Sequence, residues 1–466
     1  MPILPPPRAF AASVPVLIAG GGACGLTAAL AARDAGVDVL VLERDATPQG
    51  TTSMSLGAMC AAGTRMQREV GISDSPEQFF ADVMARTKGE TDPDFVRVIT
   101  REAGPTVEWL ADVHGVPLSV DADWRGLGHA VPRLHAPPDK SGAGLMGRLL
   151  QANERAGADL LTRAHVTDLY ADSSGKVHGV RVKRPDGTTE DIGCGALILA
   201  TCGFAANHEM IAKYIPGMGN ARTFTWENSQ GDAITWGLEL GAAVADMGAY
   251  QGYGALAYPQ LQLFNYTYVI DGGIMVNTEG KRFSDEMADV SGQGVNVLRQ
   301  PGGVAFIVYD DALHHKYKDM IETRNAMELN AVKFGKDAHE LAAALGIPGD
   351  AFAQTLADVR AVKNGTRTDD FGRTFAETAQ LNPPYAGVKV TGALYHTQGG
   401  LVVDGHGQVK RADGSLLPNL FAGGGAARSI SGPGASGYIP AAGLCMAMTL
   451  GRLAGTAAAK MTGHKK

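Results

Sequence analysis

The stretch VLIAGGGACGLTAALAARDAGVDVLVLERD, residues 16–45, decides the fold. A buried strand, Val16 to Ala19, runs into Gly20, Gly22 and Gly25 in GxGxxG spacing, then into an Ala-rich helix and a second strand ending in Glu43. The first glycine permits the tight turn, the second lets a pyrophosphate approach the backbone, and the third lets helix pack on strand, with the phosphates at the helix N-terminus. Glu43 follows roughly 20 residues on, where a carboxylate takes ribose hydroxyls rather than a 2′-phosphate. A lone GxGxxG is a weak signal. With both strands, the helix and the acid present, it reads as a βαβ dinucleotide-binding unit.

Outward from this unit, 466 residues are too many for one core, so two or three domains are expected. A net charge of −7 argues against nucleic acid as a partner. An apolar content of 45% and a mean hydropathy of −0.04 suit a soluble globular chain. No apolar run reaches the roughly 18 residues that a membrane span needs. Met1 to Ala12 has three consecutive prolines and no long apolar run, so it reads as a short tail and not a signal peptide; a cytoplasmic location follows by default. The cysteines, Cys24, Cys60, Cys194, Cys202 and Cys445, form neither a CxxC pair nor a CxxCH site, so no metal centre, disulfide framework or covalent haem is expected.

Three further segments identify the dinucleotide. GTTSMSLGAMCAAGT (50–64) has the small, hydroxylated composition of a loop wrapped around a ligand. GALILATCGF (195–204) is another buried strand running into Ala-Thr-Cys-Gly, and LPNLFAGGGAA (417–427) repeats the pattern of strand into glycine turn. Turns so far apart suggest FAD, which is long enough to touch all of them. Between Gly157 and Gly195, VTDLY, KVHGVRVKRPDG and TTEDIGCG alternate as a small antiparallel sheet would. DAHELAAALG (337–346) and DAFAQTLADVRAVKNG (350–365) read as amphipathic surface helices ending in glycine.

On the N-terminal unit together with GGIMVNTEGKRFSDE (272–286), YHTQGGLVVD (395–404) and LFAGGGAARSISGPGASGYIPAAG (420–443), the chain resembles the flavoprotein family of soluble fumarate reductases, succinate dehydrogenase flavoprotein subunits and 3-ketosteroid dehydrogenases, from about Val14 to Lys460. The resemblance implies an α/β fold: a Rossmann-like FAD-binding domain split in sequence, 1–250 and 388–466, with an inserted α+β capping domain, 251–387, and the active site at their junction. It carries FAD contacts over to Gly20, Gly22, Gly25, Glu43, Arg44, Thr51, Thr52, Ser53, Gly57 and Ala58, and further to Val166, Thr201, Asp232 and Gly425. Gly443 and Leu444, at a helix start, would aim N–H groups at the flavin pyrimidine. No histidine stands among Ser53, Met54 and Ser55 where some relatives attach flavin covalently, so noncovalent FAD is implied. Gly425 replaces the acid usual after the last glycine turn.

At the substrate site the chain departs from the fumarate reductase pattern. His396 matches. Tyr253, in YQGYG, stands at the first histidine position, Asp289 and Val290 stand where the proton-delivering arginine belongs, and Tyr438 takes the place of the carboxylate-clamping arginine. A dianion without guanidinium partners is bound poorly. Tyr438, in GASGYIPAAG, resembles the ketosteroid dehydrogenase branch, where a tyrosine near the flavin transfers a proton or polarises a ketone. Forming a C=C bond beside a carbonyl needs an α-proton removed by a base and a β-hydride delivered to flavin; which residue is base and which polariser is open at this level.

The expectation is therefore an FAD-dependent dehydrogenase or ene-reductase acting on a small molecule, most simply a cyclic ketone such as a 3-ketosteroid or an oxocyclohexane compound, with Tyr438, His396 and Tyr253 as catalytic candidates. Electrons would pass through a separate carrier, a quinone or oxygen. Reduction of an unsaturated carboxylate, a flavin-binding protein that has lost its catalytic groups, and an aromatic hydroxylase remain alternatives. Tyr253, Tyr258, Tyr266 and Tyr268 form an aromatic cluster that equally suits packing. His129 and His135, in GHAVPRLHAPP, are expected on an exposed loop, Arg282 and Glu286 as an ion pair fixing the cap, and Arg428 as a reserve cation for an anionic substrate group.

Overall fold

The computed structural model describes residues 3–375 and 378–463. The chain divides into two units. One takes the described residues up to Met210, Thr225–Tyr250, and those from His396 onward; the other takes Ile211–Phe224 and Gln251–Tyr395. Relative to the division read from sequence, Ile211–Phe224 joins the inserted unit and the last crossing lies at 395/396.

The first unit is built on parallel strands. β1 (Ala12–Ala19) lies between β2 (Val39–Leu42) and β3 (Thr189–Leu199), and β4 (Leu416–Ala422) pairs with the far side of β3, all parallel. Val16, Leu17 and Ile18 have no exposure, as a strand covered on both faces requires. Helix α1 (Ala23–Asp34) starts at the glycine turn, and its small side chains let it lie against α2 (Ala442–Thr462): a Cβ on Gly455 would meet Ala28 O at 2.2 Å.

The alternating segment 157–195 forms antiparallel pairs, His165–Ala171 with Val177–Lys183 and the latter with the first half of β3. It is continuous with the main sheet, because β3 is long enough to pair antiparallel at its start and parallel at its end. The N-terminal tail is also bound: Ile3 and Leu4 add an edge strand against Leu169 and Tyr170.

In the second unit the long strand Tyr385–Thr397, whose last two residues belong to the first unit, is central. It pairs antiparallel with Val304–Asp310 and Val332–Gly335 and parallel with Arg222–Thr223. Helices Ala338–Leu345 and Gly349–Lys363 match the two amphipathic segments; the first is capped by Asp337, which accepts the Glu340 N–H, and stopped by Gly346 at φ +73°. Phe264, Tyr268 and Tyr309 stack in its core at centroid separations of 4.9 and 4.1 Å.

Candidate active site

At the nucleotide end, Gly20 has φ +108°, and a Cβ there would lie 2.3 Å from Ala200 O, while a Cβ on Gly25 would lie 1.9 Å from Gly20 O. Gly22 is open by contrast, with only Thr52 Oγ1 at 3.6 Å from where its Cβ would be. Backbone is thus accessible where a pyrophosphate must approach. Glu43 accepts the Gly21 N–H on Oε2 at 2.8 Å and the Asp45 N–H on Oε1 at 2.9 Å, leaving each oxygen a lone pair for ribose hydroxyls. Burial raises its pKa, against the pull of these two amides.

The short helix Gly50–Ser53 brings Thr52 Oγ1 to the Ala23 N–H at 3.2 Å and Thr51 Oγ1 to 3.3 Å from Ser229 Oγ, while Ser53 Oγ donates to Gly50 O. Gly57 and Ala58 are buried just beyond it, and Val166 is buried in its strand. Arg44 donates to Asn228 O at 2.8 Å and lies 3.5 Å from Asp232, whose other oxygen, Oδ1, is buried with no hydrogen-bond partner. An unpaired buried carboxylate oxygen is costly and fits a donor hydroxyl on a bound nucleotide. Thr201 Oγ1 accepts the Ala233 N–H at 3.2 Å and so anchors the start of the helix Asp232–Glu239. At Gly425 a Cβ would lie 2.7 Å from Gly203 N, so the acid of the family pattern has no room here.

His396 and Tyr438 meet edge to face, with centroids 6.0 Å apart at 75°. Gly443, in the first turn of α2, lies directly against the imidazole: a Cβ there would be 3.1 Å from His396 Cε1. Leu444 follows it, 8% exposed. Burial pushes His396 down to about 4, so the ring is neutral at neutral pH. Burial raises Tyr438 far above its ordinary value, with the Cys60 thiol adding to the rise and a hydrogen bond with the Ala441 backbone opposing it. Two residues that the sequence reading passed over stand behind His396: Gln398 Nε2 lies 3.1 Å from Nδ1 and 3.4 Å from Nε2 of its ring, and Ser431 Oγ donates to Gln398 Oε1 at 3.0 Å. Both stood in quoted motifs, but nothing in the linear pattern marked them as neighbours.

The other candidates are placed differently. Tyr253 belongs to the second unit, where its hydroxyl donates to Phe264 O at 2.7 Å, accepts the Tyr266 N–H at 2.9 Å, and its ring stacks on Tyr395. Tyr266 donates to Glu286 O and Tyr268 lies 3.1 Å from Thr323 Oγ1, whereas Tyr258 has Arg222 and Lys389 over its ring. Arg282 pairs bidentately with Glu286 at 2.8 and 2.9 Å, and Arg373 joins the same carboxylate at 3.0 Å. Arg428 is engaged by Asp92 at 2.6 Å and lies over Phe95.

The expectation of an exposed loop at His129 and His135 is overturned: they are 4% and 0% exposed. Arg133 between them turns inward to Asp74 and carries both histidines with it. Among the described residues no cluster of three or more His, Cys, Asp or Glu is placed to hold a metal, and no helix is long and apolar enough to cross a membrane.

A parallel sheet ending in a glycine turn, an acid on the second strand and an inserted second unit define the FAD-dependent oxidoreductase fold. A family profile described as FAD binding domain matches residues 15–444; the chain belongs to that family, and FAD is the cofactor its residues fit. It is 30% identical over 451 residues to NADH:fumarate oxidoreductase of Klebsiella pneumoniae (strain 342), covering 96% of this chain but 48% of that protein, so the chain spans about half of this relative's length. A flavocytochrome c3 fumarate reductase structure in its open conformation superposes with a TM-score of 0.83 at 27% identity, covering 98% of this chain and 80% of that one. The 3-ketosteroid-Δ4-(5α)-dehydrogenase of Rhodococcus jostii RHA1, solved with 4-androstene-3,17-dione, gives 0.78 at 25% identity, covering 97% and 98%.

Proposed function

We propose that the protein is an FAD-dependent oxidoreductase acting on CH–CH and C=C bonds, and that its substrate is a cyclic ketone whose reacting bond is conjugated to the carbonyl. The observation that carries this is the His396–Tyr438 pair, two uncharged groups in contact beside the start of α2. Bound FAD supplies the acceptor, or in reverse the donor, of the β-hydride. His396, kept neutral by burial, carries a single ring N–H, a donor suited to a carbonyl oxygen that gains charge as the α-proton leaves. Tyr438 is the group that moves the α-proton. Burial keeps its phenol protonated, which is the state that reduction starts from; desaturation starts from the phenolate and draws on a scarcer form. Tyr253, whose hydroxyl is already committed on both sides, we assign to packing.

Similarity to fumarate reductases favours a second reading, reduction of an unsaturated carboxylate. Against it stand the residues read at the guanidinium positions, Tyr438 at one and Asp289 and Val290 at the other, and the engagement of Arg428 by Asp92. Anaerobic stopped-flow bleaching of the FAD-loaded protein by 3-ketosteroids, 4-oxocyclohexanecarboxylate, cyclohexanone and succinate, with fumarate added to the reduced form, separates the two. Bleaching by a ring ketone supports the first reading. Reoxidation by fumarate with no response to any ketone replaces it by the second.

A further inference from the structure

A buried polar chain backs the turn that carries Tyr438. Arg133 has no exposure; its Nε and Nη2 donate to the two oxygens of Asp74 at 2.8 Å each, and Nη1 donates to Asp82 at 2.6 Å. The guanidinium also covers the Phe79 ring, 4.8 Å from its centroid. Nη1 lies 3.2 Å from His129 Nδ1. A guanidinium has donors only, so Nδ1 accepts and the ring proton resides on Nε2. Nε2 in turn donates to the Pro440 carbonyl at 3.0 Å. From a second direction Arg86 Nε donates to the Tyr438 carbonyl at 3.1 Å. Arginine cannot reverse a hydrogen bond, so the direction of each link is set.

We propose that His129 is a positioning residue for Tyr438, fixing the Tyr438–Ala441 turn through the Pro440 carbonyl and so setting the phenol against His396, with Arg86 as the second fastening. The inference rests on the reading of Tyr438 as the proton-moving group. The turn needs such fastening because its own sequence is loose: it follows Gly432, Gly434 and Gly437, and Ala441 at its end has φ +66°, a conformation that surrounding contacts must impose on a residue with a Cβ. Burial holds His129 neutral, its pKa down at about 4, so Nδ1 remains an acceptor for Arg133 through neutral and mildly acid pH. A displacement of about 1 Å at a reacting group is enough to cost as much as a hundredfold in rate.

The test is a double-mutant cycle on the FAD-loaded protein, read by single-turnover bleaching with whichever panel ketone reacts. His129→Leu should slow the step roughly tenfold or more, with FAD content and substrate concentration dependence held, and His129→Gln, which keeps an N–H near the same place, should recover most of the rate. In a Tyr438→Phe background His129→Leu should slow nothing further. If His129→Leu does not load FAD, Arg86→Gln removes the second fastening and serves in the same cycle. Equal slowing by His129→Leu with and without Tyr438, or no slowing while Tyr438→Phe alone is slow, overturns the inference and leaves the proposed function standing. Full rate in Tyr438→Phe alone removes both the inference and the proton-moving role of Tyr438, while the ketone activity stands.

Discussion

Gln398 Nε2 sits 3.1 Å from His396 Nδ1, whereas the Thr397 carbonyl lies 3.4 Å from the same nitrogen. The Ser431 hydroxyl lies 3.0 Å from Gln398 Oε1 and braces the amide against the ring. Gln398→Leu should free the ring to turn and slow single-turnover bleaching by roughly tenfold, with FAD still bound, as loss of an oriented group predicts. An unchanged rate would show that Gln398 does not orient the ring.

Tyr438→Phe removes the phenol oxygen without changing the ring that packs on His396. FAD should stay bound and turnover should fall by about a hundredfold or more, the usual scale for a lost proton-transfer group. Absorbance of the purified variant and its stopped-flow trace report the two halves of that statement.

The direction of reaction should depend on pH through Tyr438. Because burial raises its pKa, the desaturating step should accelerate as pH rises and show no plateau across neutral pH, while the reducing step should be flat there. A desaturation rate that levels off near pH 7 would assign the proton to another group.

Buried histidines should make stability fall in mild acid. His129, His135 and His396 are each held by burial at about 4, whereas in the unfolded chain they titrate near the ordinary histidine value, about 6.5. Between those values the unfolded state binds more protons, so stability that is whole above about pH 6.5 is lost as pH falls toward 4. Melting temperature measured across that window should drop steadily, and His135→Gln should flatten part of the drop.

Glu286 is 1% exposed and holds both Arg282 and Arg373. Those arginines keep its carboxyl below the usual range against the cost of burial. Glu286→Gln leaves two buried guanidinium groups short of charge and should cost the second unit roughly 3–5 kcal/mol in urea denaturation. A change under about 1 kcal/mol would show that Asp369, the second carboxylate paired with Arg282, makes up for the lost charge.

The first unit was legible because its signals are local: an apolar run long enough for a strand, glycines at set offsets, an acid at the next strand end. The helices Ala338–Leu345 and Gly349–Lys363 were equally legible, since periodicity and a terminal glycine lie within a few residues of each other. Local pattern misjudged His129 and His135, because proline and glycine around them suggest exposure while the cause of their burial, Asp74 and Asp82, lies some fifty residues earlier. The N-terminal tail misled likewise, since the strand that pairs it is near residue 170.

By itself the sequence determined the dinucleotide unit and the FAD class, both of which depend on residue type at fixed spacing. Tertiary structure alone decided that His396 faces Tyr438, that Gln398 and Ser431 orient it, that Arg428 is already paired, and that a buried arginine and histidine fasten the Tyr438 turn. Those relationships join residues separated by tens to hundreds of positions, and hydrogen-bond direction and burial exist only once such residues share the same space.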